Sequence, residues 1–284
     1  PGSAPTWTPD LTYATRTGTD GKTFELKLNL AQPADLKPGE RRPCIIAIHG
    51  GGWTAGKRED LDALVKLLAE QGWAAATVSY RFAPTPGTAD PKTARFPAQL
   101  TDCAEAVQFL RANADKYGLD PARIGAVGFS AGAHLAMMLA VTGPEDQPAS
   151  SPASGRIRAA VSFMGPTDLN AKDIPVVSKG IVSNLIGADP LIDGKSIEER
   201  GKTASPLTHV TPDDAPILMF FGTKDPLVPH TQAYPMLDAM TAAGVPGRAE
   251  IVAGAGHGFG GEEIQRTLAA TTAFFTEHLK AKQP

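Results

Sequence analysis

The stretch Ile124-Gly-Ala-Val-Gly-Phe-Ser130-Ala-Gly-Ala-His134-Leu-Ala-Met-Met-Leu-Ala-Val141 decides the fold of this chain. Ile124–Phe129 is an apolar run of strand length, and Ala131–Val141 continues with residues that favour a helix. Ser130 therefore lies at the sharp turn between a buried strand and a helix, where a strained backbone exposes its hydroxyl. The flanking glycines let the strand and the helix approach each other without a Cβ clash. The pattern Gly-x-Ser-x-Gly at such a turn is typical of a nucleophilic serine.

A serine at this position has a second interpretation, because serine is also a common helix N-cap. The pentapeptide alone does not separate the two interpretations, since its residues are common in the chain. A nucleophilic serine needs a base to take its proton, a third group to orient that base, and donors for the oxyanion. The choice therefore depends on whether such partners occur elsewhere in the sequence.

His257 is the histidine that best fits the base, among the six in the chain. It lies in the glycine-rich segment Ala253–Gly261, directly after a predicted strand that ends at Val252. Glycines allow the backbone to bring an imidazole over the carboxyl edge of a sheet. The alternative is a surface histidine in a flexible loop.

Asp225 is the preferred orienting acid, because it follows the predicted strand 216–222, one strand before the histidine. A carboxylate there can reach the second imidazole nitrogen, fix its tautomer and stabilise the imidazolium. Asp168, after the predicted strand that ends at Met164, is the competing candidate. A simple turn-forming role before Pro226 is the alternative for Asp225.

The segment His49-Gly50-Gly51-Gly52-Trp53 follows the predicted strand 44–48 and is a candidate source of oxyanion donors. Successive glycines let main-chain N–H groups approach a substrate oxygen closely. Ala131 supplies a further N–H at a helix N-terminus, whose dipole favours developing negative charge. A phosphate-binding loop is the alternative, but the Lys-Ser/Thr that it requires does not follow these glycines.

Strand-like and helix-like segments alternate along the chain, which predicts a mostly parallel sheet with helices on both faces. We expect one domain over residues 1–284, with an irregular insertion at about 165–215, where Pro, Gly and Asp are frequent. The predicted strands are 11–15 and 24–30 (an antiparallel pair), 44–48, 73–80, 124–129, 159–164, 216–222 and 249–252. The predicted helices are 60–71, 97–116, 131–141, 231–243 and 262–280.

Composition narrows the class of protein. The formal net charge of -3 gives no electrostatic argument for binding nucleic acid or an anionic membrane. No apolar stretch approaches the roughly 20 residues that a membrane-spanning helix needs. We find no metal-ligand cluster and no cofactor motif, so the sequence predicts neither a metal nor a cofactor.

Two further features bear on the cellular compartment. Cys44 and Cys103 are too few for a disulfide framework, and two buried, unpaired thiols are favoured over a bridge. The Pro-, Ser- and Thr-rich segment Pro1–Asp10 would suit the mature end of an exported protein. A secreted or periplasmic location is therefore expected, with the cytoplasm as the alternative.

At the segments that carry the chemistry, the chain resembles the α/β-hydrolase superfamily. More narrowly, it is similar to hormone-sensitive-lipase-like esterases and to the related bifunctional feruloyl and acetyl-xylan carbohydrate esterases. The likeness extends from about Leu11 to the last helix, and the order serine, acid, histidine also matches. The matching segments are His49–Trp53, Ser79–Arg81, Phe96–Gln99 with Asp102, Asp120–Ile124, Gly128–His134, Gly222–Pro229 and Gly256–Phe259.

The resemblance implies an α/β-hydrolase fold and a metal-independent carboxylic ester hydrolase that acts through an acyl-enzyme. It implies a catalytic triad of Ser130, Asp225 and His257. It also implies that the main-chain N–H groups of Gly51, Gly52 and Ala131 form the oxyanion hole. Family members often have glycine where this chain has Ala133, a change that leaves the nucleophile assignment intact.

The resemblance also predicts the surroundings of the site. Hormone-sensitive-lipase-like enzymes usually carry a helical N-terminal cap, whereas this chain has strand-like sequence by Leu11. We therefore expect no such cap and a comparatively open cleft, suited to short-chain, acetyl, feruloyl or other aryl esters, including polysaccharide-linked ones. Trp53 and Phe259 are expected to form pocket walls, although core packing fits them almost as well.

Arg81 and Asp102 are expected to form a structural ion pair beneath the oxyanion loop. A serine peptidase and a non-catalytic binding protein on the same fold are the alternative functions. The related oligopeptidases add a β-propeller, for which we find no corresponding segments in this sequence, and the non-catalytic relatives typically lose the base or the nucleophile. Ester hydrolysis is therefore the leading hypothesis.

Overall fold

The computed structural model describes residues 4–143 and 155–280. The strands are β1 Thr6–Thr17, β2 Thr23–Gln32, β3 Arg42–Ile48, β4 Ala74–Val78, β5 Leu119–Phe129, β6 Ala160–Phe163, β7 Leu191–Ile192, β8 Lys195–Ser196, β9 Ile217–Gly222 and β10 Gly247–Val252. The helices are α1 Asp62–Glu70, α2 Ala98–Ala112, α3 Ala114–Tyr117, α4 Ala131–Val141, α5 Val176–Ile186, α6 Ile197–Thr203, α7 Ala233–Ala243 and α8 Gly261–Phe275.

A central sheet has the strand order β1-β2-β4-β3-β5-β6-β9-β10. The pairs β1/β2 and β2/β4 are antiparallel, and all the other neighbours are parallel. Ile48 at the end of β3 pairs with Val78 of β4 and with Gly128 of β5. The parallel strands therefore end level with one another, and the loops that follow them gather at one edge. This arrangement confirms the predicted, mostly parallel sheet.

The alternation of side chains along the strands divides the core between the two faces of the sheet. On β3, Ile46 and Ile48 pack in the cluster that contains residues of α2, α4 and α7. Ile45 and Ala47 point the other way, into the cluster that contains residues of α1 and α8. Helices therefore cover both faces, as predicted. Every residue of α4 is buried, which explains its almost wholly apolar sequence.

The first two strands form the predicted antiparallel pair but are longer than predicted. Residues 1–3 of the Pro-, Ser- and Thr-rich start lie outside the described residues, whereas Thr6–Asp10 belong to β1. Within the described residues, none of the helices combines the length and the apolarity that crossing a bilayer requires. Cys44 and Cys103 are both buried and free, and burial raises the pKa of the Cys44 thiol to about 12.

The prediction that residues 165–215 are irregular is wrong. This segment contains α5, the short hairpin β7–β8 and α6. Pro175 lies just before α5 and Gly187, with φ +90°, ends it, so these two residues are helix boundaries rather than breakers. Gly180 and several β-branched residues lower the intrinsic helix propensity of α5. Packing therefore stabilises this helix, through the buried residues Ser178, Val182, Leu185 and Ile186.

The single helix predicted over 97–116 is instead two helices, α2 and α3, which are divided at Asn113.

The expected ion pair between Arg81 and Asp102 of α2 is present, and a second arginine joins it. Asp102 is fully buried, with Oδ1 2.8 Å from Nη2 of Arg81 and Oδ2 2.9 Å from the main-chain N of Arg81. Arg16 of β1 also contacts Asp102 Oδ1 at 2.8 Å. Asp102 thus fixes the chain after β4 against α2 and β1.

We expect Asp102→Asn to lower the free energy of unfolding by about 3 kcal/mol, because it removes the buried counter-charge of Arg81 and leaves Arg16 with Glu105 alone. Urea denaturation of the variant measures the change. The matched control is Asp115→Asn, which removes the exposed ion pair with Arg41 and should change stability by less than about 1 kcal/mol. Equal effects for the two variants would contradict a structural role for the buried cluster.

Candidate active site

Ser130 lies at the predicted turn between β5 and α4, in a conformation that most residues avoid. Its φ is +53°, a strained conformation for a non-glycine residue that costs about 1–3 kcal/mol. A Cβ on Gly128 would lie 2.1 Å from the carbonyl oxygen of Gly132, and a Cβ on Gly132 would lie 2.1 Å from that of Ile48. Only glycine at these two positions lets strand and helix come close enough to hold the strained turn.

The structure brings the three predicted chemical groups together. Nε2 of His257 lies 2.8 Å from Oγ of Ser130, and Nδ1 of His257 lies 2.7 Å from Oδ2 of Asp225. The carboxylate accepts only, so Nδ1 carries the ring proton of the neutral imidazole, and Nε2 accepts from the serine hydroxyl. This tautomer is the one that can remove a proton from Ser130.

The buried carboxylate of Asp225 is held from two sides. Its Oδ1 accepts hydrogen bonds from the main-chain N–H groups of Leu227 at 2.8 Å and Val228 at 3.0 Å. Its Oδ2 accepts the bond from His257. The side chain of Asp225 has no solvent exposure, and these three donors compensate for the loss of water around the charge.

Hydrogen bonds between two loops place the histidine next to this acid. The main-chain N of Lys224 donates to the carbonyl of Ala255 at 2.9 Å, and Gly254 N donates to Oγ1 of Thr223 at 2.8 Å. The loop after β10 is therefore tied to the loop after β9. Asp168, the competing candidate, instead accepts a hydrogen bond from Asn170 N at 2.8 Å. The structure thus brings Asp225, rather than Asp168, to the imidazole.

Two elements beside the serine carry main-chain N–H groups that could act as oxyanion donors. Gly52 of the glycine-rich loop and Ala131 at the start of α4 line a cavity together with Ser130. Within the described residues, the N–H groups of Gly51, Gly52 and Ala131 donate to no protein acceptor. Gly51 is not part of the cavity wall, and its carbonyl accepts from Thr54 N and Ala55 N. Gly52 and Ala131 are therefore better placed than Gly51 to meet an oxyanion.

The cavity beside Ser130 is lined mainly by apolar groups and has a volume of about 80 Å³. One wall comes from α5 and the loop before it, and another comes from the loop after β9. The cleft that the sequence predicts as open is thus bounded by α5 on one side. Outside the catalytic and oxyanion residues, the lining consists of Trp53, Pro166, Ile174, Ser178, Ile181, Val182, Leu227, Val228, Pro229 and Gln232.

Sequence reasoning missed the residues of α5 in this wall. A Cβ built on Gly52 would lie 2.9 Å from Cγ2 of Ile181, so α5 lies directly over the oxyanion loop. The signal that could have found this helix is the spacing of Ser178, Ile181, Val182 and Leu185 at three and four residues. It lies between Pro175 and Gly187, residue types that often mark the two ends of a helix.

The two aromatic residues expected in the pocket wall lie in different places. Trp53 is buried and lines the cavity, and its Nε1 donates to Nδ1 of His134 at 3.2 Å. Phe259 packs with Phe163 and Phe220, with ring centroids 6.0 and 6.5 Å apart, and is not part of the cavity wall. For Phe259 the structure favours the alternative of core packing over a pocket wall.

The arrangement is equipped for acyl transfer to an oxygen nucleophile. It combines a serine hydroxyl, a neutral imidazole with its acceptor nitrogen on that hydroxyl, a buried carboxylate, free amide donors and an apolar cavity. Across residues 4–143 and 155–280, no three His, Cys, Asp or Glu side chains are grouped as metal ligands.

Comparison with known proteins agrees with this chemistry. The sequence model of the family described as BD-FAE matches residues 28–240. Esterase LipQ of Mycobacterium tuberculosis (strain ATCC 25618 / H37Rv) is 31% identical over 221 residues, which cover 76% of this chain and 50% of LipQ. The chain thus spans about half the length of the curated mycobacterial esterases that it matches.

Two solved structures match the fold almost from end to end. A truncated carbohydrate esterase from gut microbiota has a TM-score of 0.78 at 25% identity, covering 98% of each chain. A thermophilic esterase from the Planctomycetes species Thermogutta terrifontis, bound to propionate, has a TM-score of 0.76 at 26% identity. That match covers 100% of this chain and 97% of the esterase. The same esterase is also known phosphorylated by paraoxon.

Proposed function

The chain belongs to the BD-FAE family and has the α/β-hydrolase fold, and we propose that it is a serine carboxylesterase with Ser130, His257 and Asp225 as its catalytic triad. The observation that carries the proposal is the continuous hydrogen-bonded line from Asp225 through His257 to Ser130, with links of 2.7 and 2.8 Å. The esterases to which the chain is similar support it.

The reaction follows from the positions of these groups. Oγ of Ser130 attacks the ester carbonyl carbon while Nε2 of His257 takes the hydroxyl proton, and Asp225 stabilises the resulting imidazolium. The N–H groups of Gly52 and Ala131 bind the oxyanion of the tetrahedral intermediate, and each such donor typically contributes about 10²–10³ in kcat. His257 then gives its proton to the departing alcohol. Water attacks the acyl-enzyme by the same route and releases the acid.

The cavity suits a small acyl group, either short-chain or aryl. It is lined mainly by apolar side chains and is closed on one side by α5. The alcohol portion of a bound ester would extend from the open side into the solvent, so it can be long. Acetyl, other short-chain and feruloyl or related aryl esters, including esters attached to polysaccharide, are therefore the proposed substrates. The similarity to a carbohydrate esterase and to an esterase that binds propionate supports this choice.

The size of the side chain at position 181 should set the preferred acyl length, because Ile181 lies over Gly52 in the cavity wall. We expect Ile181→Ala to raise the ratio of kcat/KM for hexanoyl over acetyl p-nitrophenyl esters by about 10-fold, the effect of one or two pocket methylenes. Ile181→Phe should lower that ratio. Ile197→Ala, at an exposed position of α6, is the control, and a ratio that moves equally in it would contradict this assignment.

The function itself is tested with a panel of esters and matched amides. We expect hydrolysis of p-nitrophenyl acetate and butyrate, and of methyl ferulate or acetylated xylan. Hydrolysis of the p-nitroanilides of acetate and butyrate should be much slower. Paraoxon should stop the reaction and add its diethyl phosphoryl mass to the peptide that contains Ser130. Anilide hydrolysis as fast as ester hydrolysis would favour the peptidase alternative. Failure to label Ser130, together with no turnover of any ester, would favour a binding protein.

A further inference from the structure

We propose that His134 is a positioning residue that holds the oxyanion loop against the nucleophile through the indole of Trp53. The proposal rests on the function proposed for Ser130, and it assigns a role to a buried histidine that takes no part in the proton transfers. His134 lies one helical turn after Ser130 on α4 and has no solvent exposure. It therefore moves with the helix that carries the nucleophile.

Both ring nitrogens of His134 have partners from other segments. Trp53 Nε1 donates to Nδ1 at 3.2 Å, and Nε2 lies 2.6 Å from the carbonyl oxygen of Ala204, the residue that follows α6. The rings of Trp53 and His134 also meet edge to face, with centroids 5.1 Å apart. One imidazole thus joins the nucleophile helix, the oxyanion loop and the end of α6.

The chemistry of the partners fixes the state of this ring. An indole N–H only donates, so Nδ1 of His134 must be an unprotonated acceptor. A carbonyl only accepts, so Nε2 must carry the proton. The neutral Nε2–H tautomer is the one state that satisfies both bonds. Burial lowers the pKa of His134 to about 4, which keeps the ring neutral at ordinary assay pH.

Trp53 needs such an anchor because of its backbone. Its φ is +59°, an unfavourable value for a large side chain, and such a conformation persists only where the surroundings impose it. Trp53 directly follows Gly52, which lines the cavity beside Ser130 and whose N–H is a proposed oxyanion donor. Relaxation at Trp53 would displace that N–H, and a donor that is misplaced by a fraction of an ångström loses much of its effect on the oxyanion.

Two substitutions separate the two bonds of His134. In H134N the amide oxygen can take the place of Nδ1 and accept from Trp53, but the bond to Ala204 is lost. In H134Q the amide nitrogen can take the place of Nε2 and donate to Ala204, but Trp53 loses its acceptor. The two variants therefore remove one hydrogen bond each, and only H134Q releases the indole.

We expect H134Q to lower kcat for p-nitrophenyl butyrate by about 10- to 100-fold with KM within threefold, since the loss is specific to the transition state. H134N should lose at most about fivefold. The Ki of a trifluoromethyl ketone, which adds to Ser130 Oγ and places an oxyanion in the hole, should rise for H134Q in proportion to its loss in kcat/KM. W53F lacks the indole donor and should match H134Q, and the double variant should be no worse than either.

Equal kcat values for H134N and H134Q would overturn the proposal, as would a W53F enzyme with the kcat and Ki of the wild type. If H134Q does not fold, the kcat and Ki of W53F decide the question. These outcomes are distinct from failure of the proposed function. If the wild type is active and Ser130→Ala is inactive, the esterase assignment stands even where the role of His134 is contradicted. If the wild type hydrolyses no ester, both proposals fail.

Discussion

Replacing Ser130 with alanine is expected to lower kcat for p-nitrophenyl butyrate by about 10⁴–10⁶-fold, the loss typical of removing the nucleophile from a triad. The substitution removes the oxygen that forms the acyl-enzyme and leaves Nε2 of His257 without its donor. The amides of Gly52 and Ala131 and the apolar cavity remain, so KM should change by only a few-fold. Initial rates at enzyme concentrations determined from the absorbance of the purified proteins measure the effect.

Ser183→Ala provides the matched control for this substitution. Ser183 is a serine of α5 whose Oγ donates to the carbonyl of Lys179 within the same helix, so its loss should leave kcat within twofold. Paraoxon should phosphorylate the wild type and Ser183→Ala but not Ser130→Ala. A Ser130→Ala variant that keeps a tenth or more of the wild-type rate would remove the nucleophile assignment.

Asp225→Asn is expected to lower kcat by about 10⁴-fold, because it reverses the tautomer of the base. The main-chain N–H groups of Leu227 and Val228 continue to require an acceptor, so the amide oxygen stays at the position of Oδ1. The amide nitrogen then faces His257 and donates to Nδ1. Nε2 must carry the ring proton, and it can no longer accept the proton of Ser130.

Asp168→Asn is the control, since Asp168 is the other carboxylate that the sequence offers for this role. Its side chain bonds to Asn170 N rather than to an imidazole, and the variant should keep kcat within about threefold. The same kinetic assay and a thermal melt of both variants make the comparison. A larger loss in Asp168→Asn than in Asp225→Asn would reverse the assignment of the acid.

The sequence predicted those features that depend on local pattern. β5, Ser130 and α4 follow from apolar runs on either side of one turn, and α4 has the predicted bounds, Ala131–Val141. His257 and Asp225 could be proposed because each directly follows a recognisable strand. Parallel strands end at one edge of a sheet, so residues placed in this way are brought together by the topology alone.

The features that the sequence did not predict depend on contacts between distant segments. Trp53 and His134 are 81 positions apart, and Arg16 and Asp102 are 86 apart. No local sequence pattern predicts a contact between residues so far apart in the chain. α5 was missed for another reason, because its valines and Gly180 are poor helix formers and the helix depends on packing against the rest of the protein.

The residues that break bonds and the helix that closes one side of the cavity belong to different parts of the chain. Ser130, Asp225 and His257 sit on strand ends of the scaffold, whereas α5 lies in the segment between β6 and β9. A chimera in which this segment is grafted from a relative can therefore acquire a new acyl preference while retaining its proton relay. The carbonyl oxygen of Ala204 limits such grafts, because it accepts the Nε2–H of His134. The grafted segment must place a carbonyl oxygen at the same position.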